Sequence, residues 1–193
     1  IILLKKMKQA FKILLISFCT FACSVDADRL RKAKTKFDSI ATRQIAVLAA
    51  DGFDMKSFKP YKDALEKAGA VVKIVAPHGG NINCNQDMKH IVAAAIMTTE
   101  SVLFDALLIP GGDESVKSLL KTAKFTKFIR EAYKHCKAIA ALGAGEKLLK
   151  NAGLPDYKKD KAVFIEAKPQ KFIEGIAQHR NWERMEQTDA IAV

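Results

Sequence analysis

The stretch that most constrains the fold of this chain is the run KAIAALGAG at residues 137–145, which is followed at once by EKLLK. An apolar run that is broken by small residues and leads into a helical pattern predicts a buried strand turning sharply into a helix. In α/β enzymes such an elbow raises one residue above the carboxyl ends of the strands, and that residue is often a nucleophile. Here the apex is Gly143, which has no side chain to attack a substrate or transfer a proton. The sequence therefore predicts the framework of a catalytic site without its nucleophile.

Apolar strands and amphipathic helices alternate along the rest of the chain. Besides the strand before Gly143, the predicted strands lie at residues 44–50, 71–76, 91–97, 104–109 and 162–166. The predicted helices lie at residues 55–68, 115–135, 146–150 and 170–185. We expect Asp113 to be the N-cap of the second helix, Pro169 to lie in the first turn of the last, and residues 81–89 to form a polar loop. The alternation predicts an α/β fold with a mainly parallel sheet and helices on both faces.

Three loops follow strands of this predicted sheet and contain Asp51, the pair Gly111 and Gly112, and Gly143. The carboxyl ends of parallel strands converge, so a crevice there is the expected place for a ligand. Gly111 and Gly112 could present backbone N–H groups to a small anion, or they could simply form a tight turn between strand and helix. Position 148 is Leu, so the loop at Gly143 is not a dinucleotide-binding fingerprint, and the sequence has no P-loop.

The other candidate side chains do not form a recognisable catalytic set. Ser57 and Ser115 lie at predicted helix starts, where serine is usually a cap, and the four histidines fall in four separate segments. Cys84 lies in the polar loop and is either an exposed redox-active thiol or an ordinary loop residue. Cys136 precedes the central strand and is expected at the edge of the core. No His/Cys cluster has zinc-ligand spacing, so no metal site is predicted.

The net charge of +11 does not indicate nucleic-acid binding once it is located along the chain. Residues 1–42 hold nine Lys and Arg against three acidic residues, which is more than half of the excess. The remaining basic residues are spread over predicted helix faces without the interleaved aromatic residues that stack on bases.

The first 42 residues divide into a leader and a linker. After Met7 come the basic residues Lys8 and Lys12, an apolar run at 13–22, and the small-x-small sequence ending at Ala27. This is the pattern of a secretory signal peptide over residues 1–27, and the apolar run is too short for a stable membrane span. An amphipathic or unstructured leader is the alternative, in which case the protein would be cytoplasmic rather than exported or periplasmic. Residues 28–42 are expected to be a basic linker, and residues 43–193 the globular domain.

Several segments of that domain resemble the C-terminal domain of large-subunit haem catalases. They are residues 42–52 (TRQIAVLAADG), 71–77 (VVKIVAP), 98–112 (TTESVLFDALLIPGG), 131–141 (EAYKHCKAIAA) and 172–184 (FIEGIAQHRNWER). The resemblance covers about residues 40–193. It implies a flavodoxin-like three-layer sandwich, similar to the superfamily of class I amidotransferases and intracellular proteases.

In active members of that superfamily a cysteine stands at the elbow and a glutamate on the helix after the first strand assists it. The resemblance places these two positions at Gly143 and Ser57, so it implies a site without the Cys/Glu dyad. The catalase domains characteristically lack the dyad as well. We therefore expect no peptidase, glyoxalase or deglycase activity and, within this chain, no catalytic residue.

The resemblance places haem in a catalase core that this sequence does not contain. Tyr61, Tyr133 and Tyr157 are the three tyrosines that could supply a phenolate ligand, and none lies in the arginine-rich context that the family uses. We expect no cofactor in this chain and an accessory or stabilising role in a hydrogen peroxide setting, with a catalase core or a second copy as partner. The alternatives are a thiol enzyme using Cys84 and a binder of flavin or another small anion at Gly111 and Gly112.

We predict that the signal peptide is removed after Ala27, so that the mature protein begins at Asp28. Mass spectrometry of the protein secreted by an expressing cell checks this. Recovery of a soluble product that retains Met7 would contradict it.

Overall fold

Six parallel strands form the sheet in the computed structural model of the protein, which describes residues 39–185. The predicted signal peptide and most of the linker lie outside the described residues. The strands of this sheet are β1 (Gln44–Leu48), β2 (Val71–Ala76), β5 (Ala94–Ala95), β6 (Ala106–Ile109), β7 (Ala138–Ala141) and β8 (Val163–Ile165). Their order across the sheet is β5-β2-β1-β6-β7-β8, and every neighbouring pair is parallel. The predicted α/β, flavodoxin-like fold is confirmed.

Helices cover both faces of the sheet. Side chains of a strand alternate between the two faces, so a continuously apolar strand gives each face apolar side chains that a helix must cover. The helices are α1 (Met55–Lys67), α2 (Asp113–Leu120), α3 (Ala123–Lys134), α4 (Glu146–Asn151) and α5 (Pro169–Ala177). One core joins Ile45 and Val47 to apolar residues of α1 and α5. The other joins Ala46 and Leu48 to apolar residues of α2, α3 and α4. The central strands are therefore buried from both sides, as their continuous apolar sequences predicted.

The polar segment at residues 81–89 was wrongly predicted as a loop throughout. Its two ends pair as an antiparallel hairpin of β3 (Asn81–Asn83) and β4 (Lys89–Ile91). Ile82 is the one apolar residue of β3 and is completely buried, which anchors the hairpin on the domain. The strand predicted at residues 91–97 is shortened to β5, because a 3-10 turn follows at Ile96–Thr98.

Two helix predictions also differ from the structure. The helix expected at residues 115–135 is two helices, because Thr122 has an extended backbone and starts α3 anew. The N-cap of α2 is Gly112 rather than the predicted Asp113. The Asp113 carboxylate instead binds the Lys147 ammonium at 2.7 Å. The last helix has Pro169 in its first turn, as predicted, but it spans Pro169–Ala177 rather than residues 170–185, and His179 then takes a left-handed φ of 66°.

The end of the predicted linker takes part in the fold. Ile40 is buried in the core beside α1 and α5, and the Thr42 N–H donates to the Gly69 carbonyl. The folded domain thus begins a few residues before position 43. Within residues 39–185, no helix combines the length and the apolar character needed to cross a membrane.

A buried ion pair joins the segment after α5 to the β7–β8 connection. The side chains of Arg184 and Asp160 are 0% and 3% exposed, and the guanidinium donates to both carboxylate oxygens at 2.5 and 2.9 Å. The same guanidinium donates to the backbone carbonyls of Tyr133 and Lys137, and it lies 4.1 Å from the centre of the Tyr133 ring. Burial alone would raise the pKa of Asp160, but the hydrogen bonds and charge of Arg184 outweigh it and lower that pKa.

We predict that Arg184→Met lowers the free energy of unfolding by about 3–5 kcal/mol, because it leaves the Asp160 carboxylate buried and unpaired. Denaturant unfolding at pH 7 measures this. The matched control is Lys161→Met, which breaks only the exposed pair with Glu183 and should leave the unfolding midpoint unchanged.

The pH dependence gives a second check on the same pair. Arg184 holds the folded-state pKa of Asp160 below its unfolded value, so the stabilisation is present above about pH 4 and is lost as the pH falls through the folded-state pKa. The difference between Arg184→Met and wild type should therefore shrink in acid. A difference that stays constant down to pH 2 would contradict this account.

Candidate functional site

The elbow predicted at Gly143 is present and lies at the carboxyl edge of the sheet. Strand β7 ends at Ala141, a 3-10 turn spans Gly143–Gly145, and α4 follows directly. Gly143 is exposed and has a φ of 50°, a left-handed conformation that favours glycine. The structure therefore contains the predicted elbow with Gly143 at its apex, and it adds the left-handed backbone conformation.

Glu166 is the functional neighbour of the elbow that the sequence prediction missed. The residue follows β8 with a φ of 51°, and one of its carboxylate oxygens accepts a hydrogen bond from the Gly143 N–H. A Cβ added at Gly143 would lie 3.9 Å from that oxygen. The available signal was an acidic residue at the carboxyl end of the strand predicted at residues 162–166, because these strand ends meet at one edge.

Ser57, expected at the position of the acidic partner, also lies near the elbow. A Cβ added at Gly111 would be 3.6 Å from the Ser57 Oγ, and a Cβ added at Gly143 would be 3.6 Å from the Gly111 Cα. Ser57 donates its hydroxyl to the Asp54 carbonyl, and Asp54 is the N-cap of α1. The structure therefore brings Gly143, Gly111 and Ser57 together, with a hydroxyl but no thiol among them.

Gly111 and Gly112 serve chiefly to pack two loops closely together. The Gly111 carbonyl accepts a hydrogen bond from the Asp54 N–H at 2.9 Å. Gly112 has a φ of 107°, and a Cβ added there would lie 2.5 Å from the Gly52 carbonyl oxygen. No larger residue fits at position 112, so close packing accounts for Gly112 without any ligand.

The cleft beside these glycines carries negative charge. It has a volume of about 560 Å³ and includes Asp51, whose carboxylate accepts a hydrogen bond from the Asn83 N–H. Its acidic lining residues are Asp51, Asp87, Asp113 and Glu114. Like charges repel, so this lining disfavours the anionic ligand that was considered at Gly111 and Gly112. Within residues 39–185, no three acidic, histidine or cysteine side chains are grouped to hold a metal ion.

Neither described cysteine is an exposed thiol. Cys84 is only 3% exposed, and its backbone pairs with Met88 and, through a β-bridge, with Phe53. The redox-exposed interpretation of Cys84 is therefore wrong. Cys136 is buried as predicted, and burial raises the pKa of its thiol, which disfavours the reactive thiolate.

The three tyrosines do not fit the role of a haem ligand. The Tyr61 hydroxyl donates to the Ala167 carbonyl, and the Tyr133 hydroxyl donates to the Pro155 carbonyl. The Tyr157 hydroxyl donates to the Glu146 carboxylate. Burial raises the pKa of Tyr61 and of Tyr133 to about 12, and it also raises that of Tyr157. A phenolate is thus disfavoured at each position, and no catalytic step through haem can be assigned to these residues.

Comparison with known proteins identifies the family. Residues 41–186 match the family described as the C-terminal domain found in long catalases. The chain belongs to this family. It is 38% identical over 171 residues to catalase HPII of Mycobacterium avium, and 33% identical over 168 residues to catalase-2 of Bacillus subtilis. Each alignment covers 80% of this chain but only 24% and 23% of the two catalases, so the chain spans about a quarter of their length.

Solved structures support the same fold at lower sequence identity. Drosophila melanogaster DJ-1beta superposes with a TM-score of 0.59 at 18% identity, covering 79% of this chain and all of that protein. Schizosaccharomyces pombe DJ-1 gives a TM-score of 0.58 at 16% identity, covering 76% of this chain and 96% of that protein. At this level of identity the likeness of these DJ-1 proteins to the catalase domain extends to the fold alone.

We predict that Gly143→Cys destabilises the domain by about 1 kcal/mol, because a Cβ fits the available space but not the left-handed backbone. The nearby Glu166 carboxylate should raise the pKa of the introduced thiol and keep it slow to alkylate at neutral pH. Adding Glu166→Gln removes the charge and should make the thiol react faster. Iodoacetamide labelling against pH, located by peptide mass spectrometry, measures both variants.

Cys84 and Cys136 in the same digests are internal controls, since both are buried and should label slowly in each variant. Identical pH midpoints for the single and the double variant would show that Glu166 does not act on this position.

Proposed function

We propose that this chain is a non-catalytic accessory domain that stabilises a catalase core by packing against it. Membership of the family of C-terminal domains of long catalases is the observation that carries the proposal. The partner is suggested by the relatives, which are whole catalases and of whose length the alignments cover 24% and 23%. On this proposal the peroxide chemistry belongs to the core, and the leader's pattern would place the mature protein outside the cytoplasm.

The geometry of the elbow supports the absence of catalysis. The apex carries no nucleophile, and the Gly143 N–H, which could otherwise stabilise a developing oxyanion, donates to Glu166. A carboxylate held at that place repels the negative charge that acyl transfer develops. Both effects disfavour the thiol-hydrolase and glyoxalase alternative, and the burial of Cys84 removes its proposed nucleophile.

A chimera tests the stabilising role. The C-terminal region of Mycobacterium avium catalase HPII that aligns with this chain is deleted, and residues 39–193 are fused in its place. The half-life of catalase activity during heating is then compared among the native enzyme, the deleted core and the chimera. We expect the chimera to recover most of the half-life that the deletion removes, because a packed domain slows core unfolding.

Two controls make the chimera decisive. Arg184→Met in the chimera should reduce the half-life towards that of the deleted core, whereas Lys161→Met should not. The separate domain, mixed with haem, should give no Soret band and should evolve no oxygen from peroxide. A folded chimera no more heat-resistant than the deleted core would overturn the stabilising role, and peroxide turnover by the separate domain would overturn the non-catalytic one.

A further inference from the structure

A second cavity lies at the opposite edge of the sheet, near the amino end of β7. It has a volume of about 390 Å³, within the range of small-molecule sites. It is lined by Val102, Lys134, His135, Cys136, Lys137, Arg180, Trp182 and Met185. Lys137 directly precedes β7, and Arg180 and Trp182 come from the segment after α5.

The lining of this cavity is basic and contains no acidic residue. Lys134, Lys137 and Arg180 carry positive charge, and His135 adds an ionisable ring. Lys137 is only 2% exposed, and burial followed by the charge of Arg180 lowers its pKa to about 8. Its ammonium donates one hydrogen bond, to the Ser101 carbonyl at 2.5 Å, and has two further N–H groups. The acidic cleft lies at the opposite edge of the sheet, so of these two cavities an anion is favoured in this one.

The same cavity also has an apolar wall. Val102 is 73% exposed, and Met185 and the Trp182 ring complete the wall. The indole N–H of Trp182 is buried, and no atom of the described residues accepts a hydrogen bond from it. The cavity therefore meets the Trp182 side chain through its apolar ring.

We propose that this cavity, which we call the amino-edge pocket, binds a small organic carboxylate with an apolar body. The carboxylate would meet the basic side chains, and the apolar body would cover the exposed Val102 and the half-buried Met185. This proposal is independent of the accessory function, because it uses neither the elbow nor a catalase core.

Binding should weaken as the pH rises through the titration of Lys137. The other charged groups facing this lysine are Arg180, whose charge opposes protonation, and Asp105 and Glu131, which favour it. His135 has a lowered pKa, first through burial and then through Lys137, so it contributes little positive charge at neutral pH. The charge lost between pH 7 and pH 9 is therefore chiefly that of Lys137.

The experiment uses the intact chain and hexanoate as the probe. Trp182 is the only tryptophan of the sequence, so its fluorescence and its single indole N–H signal in an NMR spectrum report on this pocket. Hexanoate should shift both signals saturably, and hexanol, which keeps the apolar body without the charge, should bind at least about tenfold more weakly. Sulfate, which has charge without an apolar body, should also bind at least about tenfold more weakly.

Variants test the charge directly. Lys134→Glu reverses an exposed charge on the rim and should weaken hexanoate binding at least about tenfold without disturbing the fold. Lys127→Glu, on the exposed face of the same helix but outside the lining, is the matched control and should leave the affinity unchanged.

The proposal would be overturned by an indole signal that hexanoate does not move, or by hexanol or sulfate binding as tightly as hexanoate. Equal losses of hexanoate affinity in Lys134→Glu and Lys127→Glu would also overturn it. An affinity that stays constant from pH 7 to pH 9 would remove Lys137 from the site.

Discussion

The rest of the structure depends on central strands that are buried on both faces. Residues such as Val47, Leu108 and Ala140 have no contact with water, so these strands cannot carry exposed polar side chains. Chemistry is therefore confined to the two edges where strands begin and end. The cleft at one edge is lined by acidic residues and the pocket at the other by basic ones, although both belong to a single small sheet.

At the carboxyl edge, the domain keeps the shape of a catalytic elbow without the groups that would use it. Gly143 is left-handed and exposed, as a nucleophile at an elbow would be, but its N–H binds Glu166. Gly112 packs so closely on Gly52 that position 112 has no room for a side chain. The fold that this chain shares with DJ-1 proteins does not by itself determine a function.

At the amino edge, the segment after α5 links stability to the amino-edge pocket. Arg184 is fixed by Asp160 and by the carbonyl of Lys137, the buried lysine of the pocket. Arg180 and Trp182, which precede Arg184 in the same short segment, supply a charge and a ring to the lining. The buried ion pair thus holds in place the chain segment that forms one wall of the pocket.

The sequence by itself determined the α/β class, most strands and the glycine elbow, because apolar runs, helical spacing and glycine turns are local signals. Only the tertiary structure decided which side chains meet at the two edges of the sheet where the strands begin and end. Glu166 lies 23 positions from Gly143, and Arg184 lies 24 from Asp160, so no spacing along the chain announced either contact. The burial of Cys84 could not be predicted for the same reason, because the polar residues around Cys84 do not indicate that the rest of the domain covers its side chain. Contacts between residues distant in sequence arise only once the sheet order brings their strands together.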